Sequence, residues 1–317
     1  MGARQFGARV KRLEDPALLT GRGRFVDDVK LPGTLEACFV RSPYAHARIR
    51  SIDVAPALAL PGVHAVLTAD DLPGPMARDP IPMILPVLGI AAFRTQLCLA
   101  RDEVSYAGQT IALVVADSRY VAEDAAALVV VDYEVLPAIS DCRDALKPGA
   151  APVHADLASN LAASIPMAYG DVDAAFAGAA HLFEEEYWVH RGGGMSLETR
   201  AVLANYEPAG DLLTVWSSTQ TPHLGRRALA DLLARNLETI RVIAPDVGGG
   251  FGPKAPVSCS MVPRNPRILP AASSASATFQ YWSRSWVAHM KCSRRSSIHF
   301  TGRPSRKAAA GITASSA

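Results

Sequence analysis

Acidic residues vanish after Lys254, and that break decides how much of the chain can fold in the ordinary way. Nine of the 32 Lys and Arg lie beyond it, which leaves 23 basic against 30 acidic residues before it. By formal count the body carries about −7 and the tail about +9, although the whole chain nets only +2. Ser, Ala, Pro and Arg dominate residues 255–317, and no period of two or 3.6 residues is sustained there. Trp282 and Trp286 stand four apart without a surrounding apolar face. The tail is therefore expected to be disordered, and an ordered core must come from residues 1–254.

Pro148-Gly149 and Pro152 divide that body into residues 1–150 and 151–254. The fold class is α/β (α+β). Strands are expected at residues 34–41, 63–67, 109–116 and 129–135, the third apolar enough to be buried on both faces. Ser118 can cap a helix running to residue 128, and this strand–helix–strand order suggests a βαβ-like unit. In the second part a helix is expected at 171–179 and strands at 182–190, 202–206, 212–216 and 239–247. Thr221 caps a helix with Pro222 at its first position. Its apolar face is Leu224, Ala228, Leu229, Leu232 and Leu233, with Arg227 and Asp231 one turn apart outside.

Several chemistries are disfavoured. Cys38, Cys98, Cys142, Cys259 and Cys292 lie far apart without C-x-x-C spacing, so neither a zinc site, an iron–sulfur centre nor a secreted disulfide framework is indicated. The eight histidines offer no i, i+4 pair for a metal. The basic N-terminus has no apolar stretch behind it, and residues 81–93 are too short to span a bilayer. A cytoplasmic location, with no membrane and no nucleic-acid partner, is the expectation.

Local chemistry points to Gly248-Gly249-Gly250-Phe251-Gly252, at the end of a strand. Glycines let backbone approach a ligand, and successive N–H groups can face an anion. A P-loop is excluded because Pro253 precedes Lys254 and Ala255 follows. A dinucleotide fingerprint is excluded because Pro253 stands in its last place. The same run serves equally well as a plain tight turn. Gln220, between a strand and a helix cap, can donate its amide to a ligand oxygen or simply satisfy the turn. Glu184, Glu185 and Glu186 suit a solvated strand, and Glu198 suits a structural hydrogen-bond partner or, alternatively, an organiser of a site.

Taken together, these pieces resemble a known family. Arg12-Leu13-Glu14-Asp15-Pro16, the run from Leu19 to Asp28, and Arg41-Ser42-Pro43-Tyr44-Ala45-His46-Ala47-Arg48-Ile49 are similar to the opening of bacterial molybdenum hydroxylase large subunits. These belong with xanthine dehydrogenase and aldehyde oxidase, and include relatives of carbon monoxide dehydrogenase. Residues 109–137 resemble the end of the same α/β hammerhead domain. Ser217-Ser218-Thr219-Gln220, Pro222-His223 and the run from Asp246 to Gly252 resemble the start of the molybdopterin-binding domain.

The resemblance implies a hammerhead domain over 1–150 and a partial molybdopterin-binding domain over 151–254. It implies a molybdenum–molybdopterin cofactor held in part by Gln220, Gly250, Phe251 and Gly252, with Gln220 bonded to an oxo ligand. It implies water-derived hydroxylation or oxidation of an aldehyde, an N-heterocycle or a carbon monoxide-like substrate. Partners would be an iron–sulfur small subunit and an FAD-binding medium subunit. No catalytic residue is assigned, since the family's general-base glutamate lies far beyond residue 254. Ala255 stands where some members carry a glutamate.

Because the resemblance stops near residue 254, the chain is expected to be truncated and inactive alone, its tail the product of a frameshift near codon 255. The alternatives are a non-catalytic remnant that only folds or binds partner subunits, and a basic tail acting as a nucleic-acid arm.

Overall fold

The computed structural model describes residues 7–82, 95–162, 164, 169–187 and 194–255, together with the backbone of Thr278–Trp282 and Ser296–Phe300. Its strands are β1 (Thr34–Arg41), β2 (Ala47–Asp53), β3 (Val63–Leu67), β4 (Glu103–Val104), β5 (Thr110–Ala116), β6 (Val130–Val135), β7 (His181–Glu185), β8 (Ala201–Glu207), β9 (Leu212–Ser217), β10 (Ile240–Ile243), β11 (Thr278–Trp282) and β12 (Ser296–Phe300). Seven of them form one sheet in the order β10-β9-β8-β11-β1-β5-β3; β4-β2-β6 form a second and β12-β7 a third.

β5 is the clearest case of sequence dictating structure. Ile111 packs on one face with Ala47, Ala100 and Val104, while Ala112 and Val114 pack on the other with Ala57, Val66 and Ala125. An apolar run without alternation is what a strand covered on both sides requires. Ser118 then caps the Arg119–Leu128 helix, its side chain accepting from the Val121 N–H at 3.3 Å. The chain does not close a βαβ unit there. β5 runs antiparallel to β1 and β3, whereas β6 lies in the other sheet, antiparallel to β2. A local strand–helix–strand order cannot reveal which sheet the second strand joins.

The Pro222–Leu233 helix begins where expected, but Thr221 makes no side-chain cap; its hydroxyl donates instead to the Ala255 carbonyl at 2.8 Å. Arg227 and Asp231 form no ion pair among the described residues. The apolar face serves two cores. Ala228 and Leu232 pack with Met76, Ile81 and Cys98, and Leu229 packs with Val215 and Ile240. This helix thus ties the first half of the body to the sheet of the second.

Other boundaries shift modestly. The Val172–Ala177 helix is capped by Asp171, and β10 ends at Ile243, short of the expected 247. β7 ends at Glu185, and residues 188–190 of its expected span lie outside the described residues, as do residues 83–93 of the apolar stretch. All of β7 is exposed, as the triple-glutamate run suggested. The larger difference is in the tail, expected to lack regular structure. β11 lies between β8 and β1, antiparallel to one and parallel to the other, and β12 pairs with β7. Unpaired edges of β1 and β8 accept a strand by backbone bonding, which composition does not report.

Candidate functional site

The glycine loop is fixed at both ends by one carboxylate. Glu198 Oε2 accepts from the Gly248 N–H at 2.8 Å and from Lys254 Nζ at 2.9 Å. The two side chains are 7% and 1% exposed, so this is a buried ion pair spanning the loop. Gly248 is needed for close approach, since a Cβ there would lie 2.5 Å from the Glu198 Cβ. Glu198 Oε1 is buried without a partner among the described residues.

Gln220 closes the other side. Its Oε1 accepts from the Gly252 N–H at 2.9 Å, and its backbone N–H donates to the Lys254 carbonyl at 3.2 Å. A Cβ on Gly250 would stand 2.5 Å from Gln220 Cγ and Cδ, so only glycine leaves that side chain in place. With Oε1 engaged, the amide NH2 is the end left to donate outward. Thr219 Oγ1 donates to the Lys254 carbonyl at 3.2 Å, and Arg200 Nε to the Pro253 carbonyl at 3.2 Å. The residue just before β8 and the turn from β9 to the Pro222–Leu233 helix therefore both grip the strap 252–255.

Phe251 is the strained member, with φ 52 and 69% exposure. A left-handed non-glycine residue costs about 1–2 kcal/mol, and such outliers concentrate at functional sites. The Gly249 N–H is used by Val247 at 2.9 Å. Among the described residues nothing accepts from the Gly250 and Phe251 N–H groups. Two adjacent open donors beside an outward amide suit an anionic or oxo ligand. A plain tight turn would not require the buried carboxylate, the buried ammonium and the strained Phe251 around it.

Sequence reasoning singled out Gln220, Gly250, Phe251 and Gly252, and the structure brings the four together. Lys254 it passed over except as a mismatch to other motifs, Arg200 it missed, and Asp246 it quoted only as part of the family run, without a role. Asp246 Oδ2 accepts from the Arg24 N–H at 2.7 Å, and the Asp246 N–H donates to the Arg24 carbonyl at 3.0 Å, tying the loop to the N-terminal segment. No spacing rule links positions 222 residues apart. Elsewhere, burial pushes the Cys38 thiol above its ordinary value, away from reactive thiolate. Among the described residues no group of three or more His, Cys, Asp or Glu is placed to hold a metal ion.

Comparison with known proteins bears out the family resemblance. Residues 20–137 match the family model for the aldehyde oxidase and xanthine dehydrogenase a/b hammerhead domain. Residues 153–263 match the molybdopterin cofactor-binding domain, past the boundary expected at 254. The chain is 42% identical to the nicotine 6-hydroxylase large subunit of Paenarthrobacter nicotinovorans, over 79% of this chain and 30% of that protein. It is 40% identical to the carbon monoxide dehydrogenase large chain of Afipia carboxidovorans, over 78% and 31%. A third relative, the 6-hydroxypseudooxynicotine dehydrogenase complex subunit gamma of P. nicotinovorans, is 36% identical and aligns with 90% of the chain, reaching into the tail. The crystal structure of quinoline 2-oxidoreductase from Pseudomonas putida 86 superimposes with a TM-score of 0.74 at 36% identity, covering 86% of this chain and 34% of that one. The chain spans about a third of the length of these three relatives.

Proposed function

We propose, from the fact that this chain belongs to the aldehyde oxidase and xanthine dehydrogenase family of molybdopterin-binding large subunits, that it is a large-subunit piece of a molybdenum hydroxylase and is inactive alone. The observation that carries the reading is the Gln220–Gly252 bond, which turns the glutamine amide outward beside the open Gly250 and Phe251 N–H groups.

These residues fit the family's cofactor. Gln220 would donate to one of its oxygens, and the Gly250 and Phe251 backbone would offer N–H donors where a side chain cannot intrude. The bound group would supply the two-electron redox centre, with water as the source of oxygen. Glu198 and Lys254 would hold the donors in place before the ligand arrives, which removes reorganisation from binding. Electrons would leave through an iron–sulfur small subunit and an FAD-binding medium subunit, in the cytoplasm. No helix of the described residues is long and apolar enough to cross a membrane. The substrate would be an aldehyde, an N-heterocycle or a carbon monoxide-like molecule.

The test is metal and pterin analysis of the purified chain, made in a host that synthesises molybdopterin, beside a turnover assay. We expect no retained molybdenum and no turnover. Stoichiometric molybdenum with turnover would overturn the inactivity. The frameshift proposal is tested separately by sequencing genomic DNA from codon 240 onward and translating all three forward frames. A family-like continuation in another frame supports it; none in any frame defeats it.

A further inference from the structure

β1 and β8 do not pair with each other. Each is hydrogen-bonded on its far edge, β1 to β5 and β8 to β9. Between them lies β11, with Thr278 to Tyr281 facing Thr34 to Ala37 in parallel. On its other side Thr278 to Trp282 face Asn205 to Ala201 in antiparallel. Remove β11 and the seven-stranded sheet becomes two three-stranded ones, β10-β9-β8 and β1-β5-β3. Their facing edges would stand about 9–10 Å apart, twice the usual strand spacing, with their backbone groups open on both sides. Each open edge is a template for another strand.

The occupant comes from the part of the chain least like the rest. It follows the glycine loop by more than twenty residues and lies in the acid-free tail. Backbone pairing accounts for that, since it does not read side chains and asks only for an extended segment with its N–H groups present. Thr278, Phe279, Tyr281 and Trp282 are residue types that favour strands, and the segment has no Pro.

We infer that the gap between β1 and β8 is a strand-acceptor slot, filled in cis by Thr278–Trp282 and able to take the same segment in trans as an extended peptide. Recognition is by backbone addition to both edges at once. The slot is independent of the cofactor reading, and nothing in it requires a ligand at the glycine loop.

Amide hydrogen exchange on the full chain tests it first. Residues 278–282 should be protected to within about tenfold of residues 34–37 and 201–205, as members of one cooperative sheet. Exchange of 278–282 at the unstructured rate, with 34–37 and 201–205 still protected, overturns the inference. In the second experiment, Gln280→Pro in the full chain removes an N–H and disfavours the strand. It should speed exchange at 34–37 and 201–205 by about tenfold or more, and excess synthetic peptide of residues 274–286 should restore protection. The same peptide carrying the proline should not. Failure of the unmodified peptide, in a variant whose β5 and β9 amides remain protected, also overturns it. If the variant loses β5 and β9 as well, the exchange of the unaltered chain decides alone.

Discussion

Glu198 and Lys254 illustrate what a single residue can do and what a sequence can disclose of it. On the sequence alone the carboxylate fitted a structural hydrogen-bond partner or an organiser of a site. Its partner lies 56 residues away, so no local spacing joined them. Breaking one member of a buried pair leaves an uncompensated charge and costs about 3–5 kcal/mol. Lys254→Met should therefore destabilise by about that amount in urea unfolding. Adding Glu198→Gln should give back part of the loss, because the stranded charge goes too. Equal and additive losses would mean that the pair is not coupled. Gly250 was legible as a residue type, while its reason was not: the clash is with Gln220. Gly250→Ala should displace that side chain and release the Gly252 N–H. The check is faster hydrogen exchange at Gly252 with little change at β9. Glu36 is a third case. Burial, the largest influence, raises its carboxyl above the ordinary 4.5, with Lys30 opposing. A raised folded value means that the fold favours the protonated acid. That stability is complete below the ordinary value and is lost as pH rises through the folded one. Glu36→Gln should accordingly remove this group's loss of stability as pH rises above the ordinary 4.5. An unchanged slope in pH-dependent unfolding would show that Glu36 does not set it.

At the scale of elements, propensity and patterning located most strands of the body but not their partners. β5 was legible because a run buried on both faces has no alternation to hide. β2 escaped because its burial alternates irregularly and its residues stood out only as a family motif. β6 was found and then joined to the wrong sheet, since sheet membership is a long-range property. The Pro222–Leu233 helix shows the reverse, a periodic apolar face whose positions were right and whose cap was not. Because Leu229 is fully buried against Val215 and Ile240, Leu229→Ala should cost about 2–5 kcal/mol. The loss should appear as a lower urea midpoint with unchanged slope. A cost under about 0.5 kcal/mol would mean that the helix does not seal that core.

The whole molecule combines an acidic body with a basic tail, a division visible at once in the sequence. Its consequence was not visible, because charge contrast says nothing about where a tail lies. β11 is itself uncharged, and its pairing with β1 and β8 tethers the basic tail to the acidic body through backbone bonds. Attraction between them is screened beyond about 10 Å at 0.1 M salt and about 3 Å at 1 M. Repulsion among the body's own excess acids is screened as well, and the two effects oppose each other. Tail and body have nearly equal and opposite charge, so attraction should win while the tail is held in the sheet. Unfolding free energy should then fall as salt rises from about 0.02 M to about 0.5 M. Replacing Arg294, Arg295, Arg303, Arg306 and Lys307 by Gln should reverse the trend, leaving the body's self-repulsion to be relieved by salt. Stability that rises with salt in the unaltered chain would mean that the tail's charge does not neutralise the body's. The tail would then be held by backbone pairing alone, with its composition irrelevant to the fold.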